Sequence, residues 1–516
     1  MNYAPKPFIN IYMHRIKRDQ SKQILILFWI IVGPVLAVLW HFHLLFRGSA
    51  DSARYLLSTL AQSQAAIVAI VVTLTLVVVQ LTSETYSPRV MDLFLKDRAF
   101  WVLLLVYGIS IIYDVLILSM IPPISPQGVL NLSFSILNKS FGIEDLITGG
   151  LVLMTVTFSA LFLFIGNTMN KLKPQNVIEE LDKGIDVKCF VEKISEKYRK
   201  DPSGGCPSVM QEDEDQMLPL VDITKRAIRV DDISTAKGGV FKLKKKCKNI
   251  LNEKEYEEKR NETLRHFSCH LEDIGKIAAH QEDESTVCEV AGTLHELADI
   301  AIENGMNDKS IARVPISLQS ICNSSVERRL MDATIGIARA LGSVGVSASE
   351  KDLYNTVEIA VVSLRWIAVI TVEKNMMWET KRIVDALRDI GKKLIERTRV
   401  RESGTKTLDL IENVAFIAYE IVYRSEMETK RRKWLPVVTS ALNCLVSIGY
   451  KAEERQLDIA QKIAEHLKDV WYAGVENERS IRSEDVNNEA IISWCGDTRN
   501  GEIRTILENI LNEMSD

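Results

Sequence analysis

Tyr55–Ser83, YLLSTLAQSQAAIVAIVVTLTLVVVQLTS, decides how this chain is read, because it holds no Asp, Glu, Lys or Arg. About 20 consecutive apolar residues suffice for a helix to cross a hydrocarbon core of about 30 Å, and this run exceeds that. Three further runs are of the same kind: Gln23–Phe46 with Pro34 in its middle, Ala99–Ile121 broken only by Asp114, and Leu146–Asn170. Four transmembrane helices are expected. The first run is too long, and too bulky at Trp40, His41 and Phe42, for a cleavable signal peptide.

Whole-chain averages conceal this pattern. The 516 residues are 47% hydrophobic and 25% charged with a net charge of −5, and the mean hydropathy is +0.03. Nearly all of the charge comes after the apolar runs. That distribution excludes a soluble globular enzyme as the whole protein, and it excludes a disordered chain. The acidic balance argues against a nucleic-acid partner. The expected fold is all-α: four transmembrane helices followed by a large cytoplasmic helical bundle or solenoid-like domain. The expected divisions are a cytoplasmic segment 1–22, a transmembrane domain 23–170, a juxtamembrane connector 171–250 and a helical domain 251–516.

Basic residues set the orientation, since Lys and Arg concentrate in cytoplasmic flanks. Lys6, Arg15, Lys17, Arg18 and Lys22 precede the first run; Arg89, Lys96 and Arg98 follow the second; Lys171, Lys173, Lys183 and Lys188 follow the fourth. Only Arg47, Arg54 and Lys139 stand on the other side. A multi-pass protein of the cell membrane with both termini in the cytoplasm is expected. All eight cysteines fall after the fourth run with no Cys-x-x-Cys spacing, which predicts reduced thiols. The loop 122–145 carries two Asn-x-Ser triplets, at Asn131 and Asn138.

The second half is helical in period. Ile383, Leu387, Ile390 and Leu394 form one apolar stripe, and Leu457, Ala460, Ile463, Leu467 and Val470 another. Gly305, Gly345 and Gly449 each follow an apolar stretch and are expected as helix C-caps. Their spacing shows no single period, so bundle and solenoid both stay open. Lys242, Lys244, Lys245, Lys246 and Lys248 form a basic cluster that suits anionic headgroups, or equally a solvated helix face.

No complete chemical motif appears. Ser403–Thr407 lacks the upstream glycine and strand of a phosphate loop. His295-Glu296 opens like a zinc-binding helix but has Asp299 where the second His belongs. His266, Cys269 and His270 share about one helical turn without an identifiable further ligand. An enzyme is therefore not expected, nor is a cofactor or a metal.

Within the membrane, Asp114 is the costly residue: a carboxylate there costs about 2.5–3.5 kcal/mol unless paired, neutralised or wetted. Arg47 and Arg54 are its expected partners, and a structural bridge and an ion or proton site are both open. On the second run, Gln62, Ala66, Ala69, Thr73 and Gln80 share one helical face of small and polar residues. That face suits a pore shared between copies or close helix packing.

Ser87-Pro88-Arg89 reads as an N-cap followed by a favoured first-position proline. Asp232 is expected to cap a helix with Thr235 at its third position. Leu57–Asp114, with Gln80-Leu81, Tyr86-Ser87-Pro88-Arg89 and Leu95-Lys96-Asp97-Arg98, resembles a prokaryotic family of predicted membrane proteins, the domain of unknown function twenty-two fifty-four. A second block, Arg226–Ala236, is similar to that family's cytoplasmic motif, with Asp231, Asp232, Thr235 and Ala236 aligned; Asp231 replaces an Asn and Ile233 a Pro. The resemblance spans roughly residues 25–245. It implies an integral membrane protein and no known reaction. Two functions are expected to compete: an oligomeric channel-like or transport-related protein governed by its helical domain, and a membrane-anchored scaffold that binds a cytoplasmic protein. The expected partners are thus the lipid bilayer, further copies of the chain and a cytoplasmic protein.

Overall fold

The computed structural model describes residues 50–85, 98–121, 133–136, 139–171, 173–200, 215–397, 409, 411–418, 420–421, 435–454, 459–477, 488–498 and 500–515. The first apolar run, Gln23–Phe46, and Ser87, Pro88 and Arg89 lie outside the described residues. Two compact units divide the chain between Val177 and Ile178.

The first unit contains α1 (Ala50–Thr85), α2 (Arg98–Met120) and α3 (Ile143–Lys171), with a short hairpin β1 (Ser133–Ile136) and β2 (Lys139–Gly142) before α3. The hairpin is antiparallel, pairing Phe134 with Phe141. Each helix contains a segment long and apolar enough to span a membrane: Asp51–Val77, Phe100–Met120 and Asp145–Gly166. Apolar side chains cover their outward faces, among them Ile70, Leu74, Trp101, Leu105, Ile112 and Phe162, all exposed. Water would not tolerate such a surface, whereas a lipid environment requires it. Inside, the helices meet in two apolar layers. One is Ala53, Leu57, Ile117, Ile121 and Ile147; the other is Val71, Leu103, Tyr107, Leu161 and Phe164.

The division falls within α4 (Pro174–Gly184), and the second unit continues with α5 (Val187–Lys200), so part of the expected connector belongs to the helical domain. Then come α6 (Leu218–Arg229), α7 (Ile233–Asn252), α8 (Arg260–His280), α9 (Glu284–Glu303), the single turn α10 (Asp308–Ile311), α11 (Arg313–Glu327), α12 (Met331–Glu350), α13 (Tyr354–Glu373) and α14 (Met377–Arg397). Beyond lie α15 (Leu435–Glu454), α16 (Ala460–Asn477), α17 (Asn488–Asp497) and α18 (Gly501–Ser515). The helices stack in two layers: α6 on α8, α8 on α11 and α11 on α13 in one, and α7 on α9, α9 on α12, α12 on α14 and α14 on α15 in the other. This is solenoid stacking, which resolves the alternative left open by the sequence. α13 is itself apolar and long enough to cross a membrane. Yet Val357, Val361, Leu364, Ile367 and Ala368 are all buried against α11, α12 and α14, so it is a core helix of the stack.

One turn is used again and again. Asp231, Glu282, Gly305, Arg329, Asp352 and Asn375 all have φ between 57° and 63°. From Glu282 onward they stand 23, 24, 23 and 23 residues apart. In each case the next residue's N–H donates to the carbonyl five positions back. Examples are Asp283 to Ala278 at 2.9 Å, Met306 to Ala301 at 3.1 Å and Met376 to Thr371 at 2.8 Å. These are Schellman closures, which satisfy the orphaned carbonyls of a helix end. Of the three glycines expected as caps, only Gly305 is one. Gly345 and Gly449 lie inside α12 and α15, where they admit close neighbours: a Cβ on Gly345 would meet Ile390 Cδ1 at 2.5 Å, and one on Gly449 would strike the Trp494 ring.

Helix starts are capped in two ways. Asp232 accepts from Thr235 N at 3.1 Å and Asp283 from Thr286 N at 2.9 Å, each within its own turn. Leu330 and Leu353 stand at the same point with no side chain able to cap, and the neighbouring repeat supplies the acceptor. Glu284 accepts from Ala333 N at 3.0 Å. Asp308 accepts from Asn355 N and Thr356 N, both at 2.9 Å.

Among the described residues the reduced-thiol expectation fails at Cys269. Cys269 is disulfide-bonded, and sequence spacing cannot report a pairing made by tertiary contact. Cys247, Cys322 and Cys444 are buried free thiols whose pKa values burial raises.

Asp232→Ala is expected to cost about 1 kcal/mol and Asp232→Asn very little. Asp308→Ala, which strips two amides of their acceptor, should cost about 2 kcal/mol. Chemical denaturation of the full chain ranks the three.

Candidate functional site

Between the two apolar layers of the first unit lies a polar one. On α1 it is set by Gln64, one heptad from both Leu57 and Val71. On α2 it is set by Ser110 and Asp114, one turn apart on the stripe that also carries Tyr107, Ile117 and Ile121. Asp114 is 0% exposed and Gln64 1%. Gln64 Nε2 donates to Asp114 Oδ2 at 3.1 Å. Among the described residues Asp114 Oδ1, Gln64 Oε1 and Ser110 Oγ are buried without a hydrogen-bond partner.

Glycine lets α3 close the site. A Cβ on Gly150 would stand 2.6 Å from Asp114 Oδ1, and one on Gly149 would strike the Tyr113 hydroxyl. Tyr113 in turn donates to Leu146 O at 3.0 Å, tying α2 to the start of α3. Of the two arginines expected as partners of Asp114, Arg47 lies outside the described residues, and among those described no bridge from Arg54 to Asp114 forms. Arg54 Nη2 instead donates to Ile121 O at 2.9 Å, at the end of α2. Gln64 is hard to find from sequence because a neutral amide in an apolar run carries no charge signal; its heptad register with Leu57 and Val71 is the available clue.

The layer offers several oxygens of carboxylate, amide and hydroxyl type in a dry environment. That set can hold a proton on Asp114, or a cation coordinated by oxygen.

Gln62, Ala66, Ala69, Thr73 and Gln80 are all exposed, opposite the buried face of α1. Two of their polar groups bond within the helix: Thr73 Oγ1 donates to Ala69 O at 2.8 Å, and Gln62 Nε2 to Ser58 Oγ at 3.4 Å. The face therefore does not line the polar layer.

In the second unit, Asp231 occupies the left-handed position of the α6–α7 turn, Asp232 caps α7, and Thr235 and Ala236 are buried in its first turns. Lys242 and Lys246 pair with Asp182 at 3.2 and 3.3 Å, and Lys244 with Glu296 at 2.6 Å, so these cations are neutralised within the domain. His295 pairs with Asp299 along the helix at 3.1 Å.

Long apolar helices around a buried carboxylate, followed by a helical solenoid, define an all-α membrane protein. The family model for predicted membrane proteins of the DUF2254 type matches residues 23–313, more than half of the chain, and the chain belongs to that family. The match extends well past the blocks that carry the sequence resemblance. No curated protein matches. Among solved structures, a circular tandem repeat protein with novel repeat topology is similar at 14% identity and a TM-score of 0.41, over 72% of this chain and 92% of that one. A structure from the computational design of self-assembling cyclic homooligomers is similar at 12% identity and a TM-score of 0.18, over 66% and 98%.

Two outcomes are expected. Gly150→Ala should lower thermal stability in detergent, because the added methyl group meets Asp114, while Gly166→Ala, with open space around it, should not. The hydrogen bond to Asp299 raises the His295 pKa against the effect of burial. A raised folded-state pKa contributes stability that is present below about pH 6.5 and is lost as pH rises through the folded value. His295→Gln should therefore cost more stability near about pH 5.5 than near about pH 8 in thermal unfolding.

Proposed function

We propose that the first unit is the working part of a transport-related membrane protein that moves protons or small cations through the layer around Asp114. The observation that carries this reading is the Asp114–Gln64 pair, fully buried between apolar layers with Asp114 Oδ1 unpartnered among the described residues. A carboxylate retained at that cost is accounted for by a species it binds. The outward face of Gln62, Ala66, Ala69, Thr73 and Gln80 suits contact between copies, where small residues let helices approach closely. The protein thus works as a homo-oligomer, and the solenoid biases the membrane helices.

The second reading, a scaffold for a cytoplasmic protein, is favoured by Val362 and Trp366, exposed one turn apart on α13. Both readings place the solenoid in the cytoplasm, which the basic flanks support.

Reconstituted vesicles test the transport reading. Wild-type protein should dissipate an imposed proton or alkali-cation gradient, and Asp114→Asn should abolish the flux while remaining folded. Equal flux from the variant, or none from the wild type, overturns the reading in favour of the scaffold. For orientation, Ser135→Cys should label from outside intact cells with an impermeant thiol reagent and Thr505→Cys should not; the reverse pattern inverts the topology.

A further inference from the structure

Asp215, just before α6, lies against two histidines of α8. His270 Nε2 is 2.8 Å and His266 Nε2 3.1 Å from Asp215 Oδ2, and the two Nε2 atoms are 3.1 Å apart. The side chains of Asp215 and His266 are almost wholly enclosed, and that of His270 is 11% exposed. The two histidines, spaced i and i+4, present their rings from one helix face, 4.5 Å apart and nearly perpendicular. Phe190 of α5 stands edge-on to His266, with ring centres 5.6 Å apart. The carboxylate is fixed from behind, because Met217 N donates to Asp215 Oδ1 at 2.9 Å. That leaves Oδ2 pointing at the imidazoles.

Hydrogen bonds alone do not satisfy this triangle. An imidazole Nε2 carries at most one proton and a carboxylate none, so three edges share at most two protons. Whichever tautomers are chosen, one edge brings two lone pairs or two protons together. Burial opposes ionisation of Asp215, but the hydrogen bonds from both imidazoles outweigh it and hold its pKa well below the ordinary carboxylate range. Burial, followed by the neighbouring His270, lowers the His266 pKa and keeps that ring neutral. Two imidazole nitrogens and a carboxylate oxygen, all within about 3 Å of one another, are the ligand set of a transition-metal ion.

We propose that Asp215, His266 and His270 bind one divalent first-row transition-metal ion through Oδ2 and the two Nε2 atoms. The spacing also selects a geometry. With metal–ligand bonds of about 2.1 Å, edges of about 3 Å subtend about 90° at the ion, whereas a tetrahedral ion needs edges of about 3.4 Å. The three ligands occupy one face of an octahedron and leave the opposite face for other donors. The site joins the lead-in to α6 with α8, two helices of one solenoid layer, so occupancy should stiffen the start of the stack. It is independent of the transport reading.

The test uses the full-length protein in detergent, stripped with a chelator and titrated with Co2+. One ion per chain should bind, with the weak visible bands of a six-coordinate ion and a raised unfolding temperature. His266→Gln and Asp215→Asn should each weaken binding by about a hundredfold or more. Should a variant fail to fold, proton spectra of the Co2+-loaded wild type decide, because two strongly shifted imidazole N–H resonances are expected. Occupancy below about a tenth of an ion per chain, a tetrahedral spectrum, unchanged affinity in folded variants, or no shifted imidazole resonances overturns the proposal.

Discussion

Inside a bilayer no water repairs a missing hydrogen bond, and the first unit is organised around that constraint. α1, α2 and α3 satisfy their backbones as helices and turn apolar side chains outward, so the lipid face raises no difficulty. The cost is confined to one level, where Asp114 sits with Gln64 and Ser110 between two apolar layers. Those layers exclude solvent from both sides. Gly149 and Gly150 then bring α3 so close that added side chains would strike Tyr113 and Asp114. Helix spacing and carboxylate environment are thus one device: opening the helices enough to admit larger residues would also loosen the enclosure of the charge.

In the second unit the helices stack in two layers, and the same left-handed turn recurs between consecutive helices. This makes the helix ends a shared resource. Where a turn ends in aspartate, as at Asp232 and Asp283, the helix caps itself. Where it ends in leucine, as at Leu330 and Leu353, the leucine is buried or half-buried in the stack, and the amides are served by Glu284 or Asp308 from the preceding repeat. The exchange couples neighbours: removing one acidic side chain weakens the repeat after it. A stack built on such nearest-neighbour links gains stability with each repeat added, which is why ends and lengths of solenoids vary easily.

The membrane runs, the all-α class and the family were legible because each rests on composition or on local motifs. The repeat was not. Its period is carried by the left-handed turn positions, and five of the six hold Asp, Glu, Arg or Asn in place of glycine. Gly345 and Gly449, which looked like caps, are helix-interior glycines selected by neighbouring side chains. The same gap hid both clusters of polar residues. Asp114 is visible as a charge in an apolar run, but Gln64 lies 50 residues away with only its heptad register to mark it. His266 and His270 are visible as an i, i+4 pair, and Asp215 lies 51 residues before His266. In each case the helix-borne half is readable from periodicity, and the partner is supplied by tertiary contact.

The family match ends at Arg313, the first residue of α11. That point is not a domain boundary, because α11 packs on α8 before it and α13 after it, and the turn that links it to α12 is the turn used elsewhere in the stack. Within the matched part lie α1, α2 and α3, the Asp215–His266–His270 cluster and the first helical pairs. The helices from α12 to α14 repeat the same unit with different side chains on its surface. A solenoid tolerates such divergence because each repeat needs only the apolar faces of its neighbours, leaving the outward residues free to change. The described membrane helices therefore lie in the matched part, while the exposed Val362 and Trp366 lie beyond it.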